Sequence, residues 1–497
     1  MDWGFYGRTD ELAELRRLVT SGRWYFARIE GRRRIGKTTL LSQLARSAPE
    51  LASRFVYLQV PDSDERDVAA TFRRSLEDGD VAAVAADTVT DFASMASAIG
   101  QLCRAGHVVV LDEFQYFTRA GLRAFNSFLQ AEVDKLRALG LPRGGLFVLG
   151  SLQAEMDSLL DDKGAPLYGR ITAQLRLDHW DFEDLVAMFR QHGIAQPAQW
   201  LTLWTFFEGV PKFYHDAYEQ GVFDVDAQAF APELLTRMFL KSASPLSEEA
   251  DTWFLRELRG QAISVLNYVA NHPGCTNAQL VGALSVPHEP TPIATVLGRL
   301  VNNYRMVERL QPVFSDSKSR NARFHIADNF LQAWLAVVKP TREAARLRPL
   351  DRALRVAQPR LQTLEGATFE KLVRRLHVEM SRKGRGDFAL SELQLGYWNR
   401  PRDAANLVEI DLVALDAENR RVRFGACKRS ASAHDGPSLA AFERHVQGFL
   451  QSRDHRHLRE WECERVLFAP DFDAESARRL QARGFRCLDL RYYAGLV

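Results

Sequence analysis

The chain is poor in cysteine, nearly neutral in charge and free of long apolar runs, and each shortage excludes something. Its five cysteines (Cys103, Cys275, Cys427, Cys463 and Cys487) stand far apart with no C-x-x-C pair. That spacing argues against a disulfide framework and a cysteine zinc site, and it predicts a reducing, cytoplasmic setting. The net charge is +2, too small for a global field that would by itself demand a polyanion. No stretch approaches the roughly 18 apolar residues of a spanning helix, so no membrane partner is expected. The opening Met1-Asp2-Trp3-Gly4-Phe5 carries an early acid and no apolar core, which predicts no signal peptide. A hydrophobic content of 46% over 497 residues allows several ordinary cores, more than one domain can use.

Against these shortages stands one sharp motif. Gly31-Arg32-Arg33-Arg34-Ile35-Gly36-Lys37-Thr38-Thr39 fits the phosphate-binding pattern G-x-x-x-x-G-K-[ST]. The glycines let backbone N–H groups turn inward onto phosphate oxygens. Lys37 places a point charge on the β- and γ-phosphates, and the Thr38 hydroxyl can ligand Mg²⁺. Tyr25–Ile29 reads as the strand entering the loop. Thr39–Ala45 reads as the helix leaving it, its dipole aimed at the phosphates. ATP and Mg²⁺ are the expected ligands.

A second strand, His107–Leu111, ends on Asp112 and Glu113. Asp112 is placed to hold Mg²⁺ together with Thr38, and Glu113 to polarise the attacking water as general base. The strand Gly145–Gly150 leads to Ser151, and Ser151 or Gln153 fits a γ-phosphate sensor; Ser151 also suits a helix cap. Pro166-Leu167-Tyr168-Gly169-Arg170 is a fixed turn presenting Arg170, either an arginine finger or half of a structural ion pair. Gly209-Val210-Pro211-Lys212 opens a helix in what reads as a small helical lid, with Pro211 near the nucleotide base. Lys212 reads as a lid cation or a solvated charge. Tyr6, Gly7 and Arg8 precede an amphipathic helix bearing Leu12, Leu15 and Leu18, just before the first strand, a place that suits adenine.

These motifs, in this order over about residues 5–220, resemble the archaeal-type ATPase family, a AAA-related, STAND-like group of P-loop ATPases. The resemblance implies an α/β RecA-like sheet with a strand added between the P-loop strand and the acidic strand. It also implies Mg·ATP as ligand and hydrolysis used as a switch.

Downstream, Gly260–Ala270, Thr276–Leu280 and a segment opening at Thr291-Pro292-Ile293 read as three helices. Met306–Leu310 and Arg323–Ile326 read as two strands joined by a polar tip, 315–321. Three helices and a hairpin are the winged-helix layout, either a DNA-binding module carrying Arg299, Lys318, Arg320 and Arg323 or a relay between domains.

After an Arg-, Pro- and Ala-rich connector, a helix carrying Glu370, a strand Glu409–Leu415 carrying Asp411 and a strand Arg421–Lys428 ending on Lys428 resemble a PD-(D/E)XK nuclease fold. Its chemistry needs two carboxylates for divalent metal and a lysine for water. The second strand carries Ala426 where that pattern has Glu, and Glu409 is the nearest substitute. The reading is therefore an ATPase core over 1–185, a lid over 186–255, a winged helix over 256–338, a linker over 339–360 and a nuclease-like domain over 361–497. Three functions stay open: an ATP-driven switch, an ATP-gated DNA endonuclease, and a DNA- or partner-binding regulator that self-associates on ATP.

Overall fold

A strand covered on both faces is apolar throughout, and two segments of the N-terminal third, Val108–Leu111 and Gly145–Gly150, meet that condition. They belong to a five-stranded parallel sheet of order β2-β3-β4-β1-β5. Its strands are β1 (Tyr25–Gly31), β2 (Phe55–Gln59), β3 (Val108–Asp112), β4 (Gly145–Gly150) and β5 (Ala173–Leu177). The computed structural model describes residues 2–497 except positions 48, 80, 140–143, 257, 285–291, 316–320, 395 and 400–405. The chain divides into two compact units, one of Gly7–Trp180 with Val210–Lys212, the other of Met1–Tyr6, Asp181–Gly209 and Phe213–Val497.

In the first unit, the two-residue period of the strands sorts side chains to opposite faces. Val108, Val110, Phe147 and Leu149 pack with Leu15, Leu40, Leu41 and Leu44 of the helices Thr9–Thr20 and Lys37–Arg46. Val109, Leu111, Leu146 and Val148 pack with Phe72, Phe92, Phe114 and Phe125 on the other side. β4 lies between β1 and β3, pairing Ile29 with Leu149 and Leu111 with Val148. The loop after β1, the acids after β3 and Ser151 after β4 thus leave the sheet at the same edge.

Arg28 interrupts the apolar run of β1. It is 1% exposed and pairs with Glu30 at 2.5 Å, Asp157 at 2.6 Å and Asp161 at 2.7 Å. Glu30 is itself buried. Arg28→Ala would leave Glu30 without this cation and is expected to cost about 3 kcal/mol, read as a lower urea midpoint for the unit.

The second unit is mostly helical before its own sheet. Helices Gln261–Asn271, Asn277–Leu284 and Ile293–Asn302 precede an antiparallel pair, β6 (Val307–Leu310) with β7 (Arg323–Ile326). The hairpin residues 316–320, with Lys318 and Arg320, and Thr291 lie outside the described residues. The connector 339–360 is helical. Lys339–Ala345 is one helix, and Leu350–Arg382 runs on as a single 33-residue helix with Pro359 inside it.

Beyond it come β8 (Glu392–Gln394), β9 (Tyr397–Trp398), β10 (Glu409–Ile410), β11 (Leu412–Asp416), β12 (Arg421–Cys427), β13 (Glu462–Phe468) and β14 (Arg486–Leu488). Their main sheet has the order β14-β13-β12-β11-β8, antiparallel at β8–β11–β12 and parallel at β12–β13–β14. The segment read as one strand from Glu409 breaks at Asp411. Glu409 and Ile410 pair instead with β9, in a separate two-stranded ladder.

Candidate functional site

The loop after β1 is built for close approach by backbone. Gly31 has φ 154°, and a Cβ there would sit 2.6 Å from the Leu177 carbonyl oxygen. Gly36 caps the helix Lys37–Arg46 at φ 95°, where a side chain costs energy. Ile35, 1% exposed, pins the loop to the apolar layer beneath the sheet. The N–H groups of the helix's first turn and a buried Lys37 converge there, a donor set that fits polyphosphate.

Lys37 Nζ donates to the Gly31 carbonyl at 2.9 Å and the Arg32 carbonyl at 3.3 Å. Burial pulls its pKa below the usual lysine value, opposed by the charges of Asp112 and Glu113. Arg32 reaches His179 Nε2 at 3.5 Å, while Arg34 holds φ 67°. Thr38 and Thr39 are exposed at the start of the helix. The Lys212 N–H donates to the Arg34 carbonyl at 3.4 Å, which brings Pro211 to the loop.

Asp112 joins three elements. Its Oδ2 accepts from Thr38 Oγ1 at 2.8 Å and from the Tyr57 hydroxyl, and its Oδ1 accepts from the Glu113 N–H at 2.8 Å. Burial and the bond to Asp112 push the Tyr57 phenol up. Glu113 turns sharply off β3 at φ 57° and ψ 37°. Its Oε2 accepts from Gln115 Nε2 and from Ser151 Oγ at 3.4 Å. The helix after β4 has Leu152 at its cap position, and the Ser151 side chain faces Glu113. Gln153's side chain lies outside those described.

Arg8, Arg170 and Tyr6 are placed differently. Arg8 is buried at φ 61°; its guanidinium donates to the Ile35 carbonyl at 3.4 Å, to the Asp178 carbonyl and to Glu11 at 2.9 Å. It braces the loop, and Gly7 before it turns at φ 63°. Arg170 forks onto Asp134 at 2.9 and 2.7 Å, which holds that carboxyl below its usual value. Tyr6 belongs to the other unit, where its hydroxyl meets His192 Nε2 at 2.8 Å and its ring meets Trp3 edge-on. Two residues of the site had no assigned role in the sequence. Gln115 stands in the Leu-Asp-Glu-Phe-Gln run itself, and Tyr57 is marked by nothing except its place on a strand beside β3.

The second candidate site lies in the C-terminal sheet. Asp411 Oδ2 accepts the Cys427 N–H at 2.8 Å, and Lys428 follows at the end of β12. Burial raises the carboxyls of both Glu370 and Asp411. The charge of Asp411 adds to the rise at Glu370, and Lys428 and Arg374 oppose it at both. Glu409 instead pairs with Arg323 at 2.6 Å. Among the described residues, the only three His, Cys, Asp or Glu ligands within 4.8 Å of one another are His215, Asp216 and Glu219; Glu370, Glu409 and Asp411 do not come together in that way. Ala426 is buried with Val413, Phe424 and Leu467 in an apolar cluster.

A glycine-cradled loop with a buried lysine, and a threonine bonded to a strand-end aspartate beside a glutamate, define a P-loop ATPase. Residues 24–141 match the family described as AAA domain, and residues 334–437 match the family DUF234, archaea bacterial proteins of unknown function. The chain thus carries a AAA domain that makes it an ATPase, and a DUF234 segment toward its C-terminus. It is 24% identical over 422 residues to the uncharacterized protein MJECL04 of Methanocaldococcus jannaschii, covering 84% of this chain and 86% of that one. Similar solved structures include the Walker-type ATPase PABY2304 of Pyrococcus abyssi, at 15% identity and a TM-score of 0.47 over 67% of this chain and 96% of that one. The ORC2 protein of Aeropyrum pernix in its ADPNP–ADP complexes has 14% identity and a TM-score of 0.47 over 73% and 97%. No described helix is long and apolar enough to cross a membrane.

Proposed function

We propose that the chain is a cytoplasmic, nucleotide-driven switch. Mg·ATP is held and hydrolysed at the P-loop, and the nucleotide state is passed to a C-terminal nuclease-like domain that binds nucleic acid without cutting it. The observation that carries the nucleotide half is the 2.8 Å bond between Thr38 Oγ1 and Asp112 Oδ2, which joins the two oxygens suited to one divalent cation. When bound, Mg²⁺ supplies positive charge to the β- and γ-phosphate oxygens. The N–H groups from Arg32 to Thr39 and Lys37 Nζ orient the phosphates, with Arg8 bracing the loop from behind. Glu113 accepts the proton of the attacking water at a carboxylate oxygen, and Ser151 holds that carboxylate. Pro211 and the Gly7–Arg8 turn flank the base, and Arg170 acts as a finger only on leaving Asp134. The ATP-bound form self-associates.

In the C-terminal half, the helices 261–302 with β6 and β7 support a winged helix that relays the nucleotide state and contacts DNA. Glu370, Asp411 and Lys428 support a PD-(D/E)XK-like fold. Ala426 favours the non-cutting reading, because it packs into an apolar cluster and Glu409, the nearest substitute, is tied to Arg323. The second reading, an ATP-gated DNA endonuclease, draws on the Asp411 charge reaching the Glu370 carboxyl, with Lys428 opposing it.

Supercoiled plasmid incubated with the protein, with Mg²⁺ or Mn²⁺ and with or without ATP, separates the two. Binding without nicking is expected; nicking that Asp411→Ala abolishes would establish the endonuclease. Ala426→Glu is expected to destabilise the domain by about 2 kcal/mol, since it puts a carboxylate among apolar side chains. An unchanged thermal midpoint would contradict that.

A further inference from the structure

Gln115 is the buried polar residue nearest the chemistry for which neither motif nor family match supplies a role. It is 1% exposed, on the 3₁₀ turn Phe114–Thr118, whose Phe114 and Phe117 are also buried. Its amide nitrogen donates to Glu113 Oε2 and lies 3.4 Å from Ser151 Oγ, and Ser151 Oγ lies 3.4 Å from the same carboxylate oxygen. Three side chains from two strand ends therefore meet on one oxygen, with Gln115 at the buried apex.

The backbone around it is cut to admit the amide. A Cβ on Gly150 would come within 3.0 Å of Gln115 Oε1 and 2.4 Å of Met156 Sδ. Gln115 Oε1 is buried and accepts no hydrogen bond among the described residues. A buried acceptor left unpaired is a standing cost. A glutamine kept for stability would not carry it, since an apolar side chain of similar length would fill the space without it.

We infer that Gln115 is a positioning residue for ATP hydrolysis. It fixes the rotamer of Glu113 through Oε2, leaving Oε1 as the oxygen that takes the water's proton, and it links that rotamer to Ser151 at the end of β4. Glu113 needs such a hold. Its backbone is already in the left-handed region at φ 57°, uncommon for a residue other than glycine, and its side chain is only half-buried.

The inference rests on Glu113 acting as general base, and the test separates the two. The full chain is compared with Gln115→Met, Gln115→Leu and Glu113→Gln in steady-state phosphate release, thermal unfolding and binding of a fluorescent ATP analogue. Gln115→Met is expected to lower kcat at least about tenfold, a part of the roughly 10²–10⁴ that a positioned general base supplies. KM and analogue affinity should stay within about twofold of the parent, because the phosphate-binding loop is untouched. The thermal midpoint should hold or rise, since the unpaired acceptor is gone. A stabilised, nucleotide-binding, slow enzyme is a signature that a merely structural glutamine does not give. Gln115→Leu repeats the test should methionine pack badly.

If Glu113→Gln loses kcat while both Gln115 variants keep the parental value, the inference is overturned and the general base stands. If Glu113→Gln turns over at the parental rate, the base assignment fails and takes the inference with it. A fall in kcat matched by a fall in the thermal midpoint for both Gln115 variants would show a packing role and overturn it as well.

Discussion

Lys37→Ala abolishes Mg-dependent ATP hydrolysis and weakens nucleotide binding at least about a hundredfold, the expected loss when a buried, charge-assisted contact of roughly 3 kcal/mol to phosphate is removed. The size of the effect follows from where the ammonium sits. It is buried beneath the loop, bonded to the Gly31 and Arg32 carbonyls. Burial depresses its pKa while Asp112 and Glu113 work against that, so the group already sits in the field of the acids that share its site. An exposed lysine would bring weaker, more screened attraction. A radiolabelled or fluorescent ATP titration checks the binding loss, and phosphate release checks the turnover.

Glu113→Gln has the opposite profile. It is expected to bind ATP as tightly as the parent or tighter and to turn it over about 10²–10⁴ times more slowly, the usual worth of a positioned general base. The carboxylate contacts Gln115 and Ser151 and lies outside the phosphate cradle, so binding energy is kept while proton transfer is lost. Glutamine matches its size. Single-turnover measurement with bound ATP checks this, and equal losses of affinity and rate would place Glu113 in the binding set.

How far the sequence reveals this site depends on how local each requirement is. The loop from Gly31 to Thr39 was legible because phosphate chemistry fixes the spacing of glycine, lysine and threonine within one turn, and the backbone obeys it, with Gly36 at φ 95° and Gly31 closed against Leu177. The place of Asp112 and Glu113 was legible because a buried strand must end where apolar residues stop. What those acids touch was not. Tyr57 reaches Asp112 through the register of β2 against β3, with Gln59 opposite Asp112, and nothing within β2 announces it. The role of Gln115 depends on Glu113 adopting a left-handed turn, a conformation usual for glycine and not readable from glutamate.

Longer-range facts were hidden for the same reason. The ion pair between Arg170 and Asp134 joins residues 36 positions apart. The division that puts Tyr6 in one unit and Arg8 in the other falls within three residues of a single motif. The connector 339–360 is helical because arginine, leucine and alanine are strong helix formers, and helix packing tolerates Pro359 in its tenth position at the cost of one backbone bond. Glu409 was legible as a carboxylate near Asp411. Its partner, Arg323, arrives from a hairpin 86 residues earlier.

The central claim is that Lys37, Thr38, Asp112 and Glu113 form one working Mg·ATP site. The most direct measurement is steady-state phosphate release from ATP by the full chain, with Mg²⁺ present and after chelation, beside Lys37→Ala. Turnover that needs Mg²⁺ and vanishes in Lys37→Ala is the predicted result; turnover that survives chelation, or persists in Lys37→Ala at the parental rate, would contradict it.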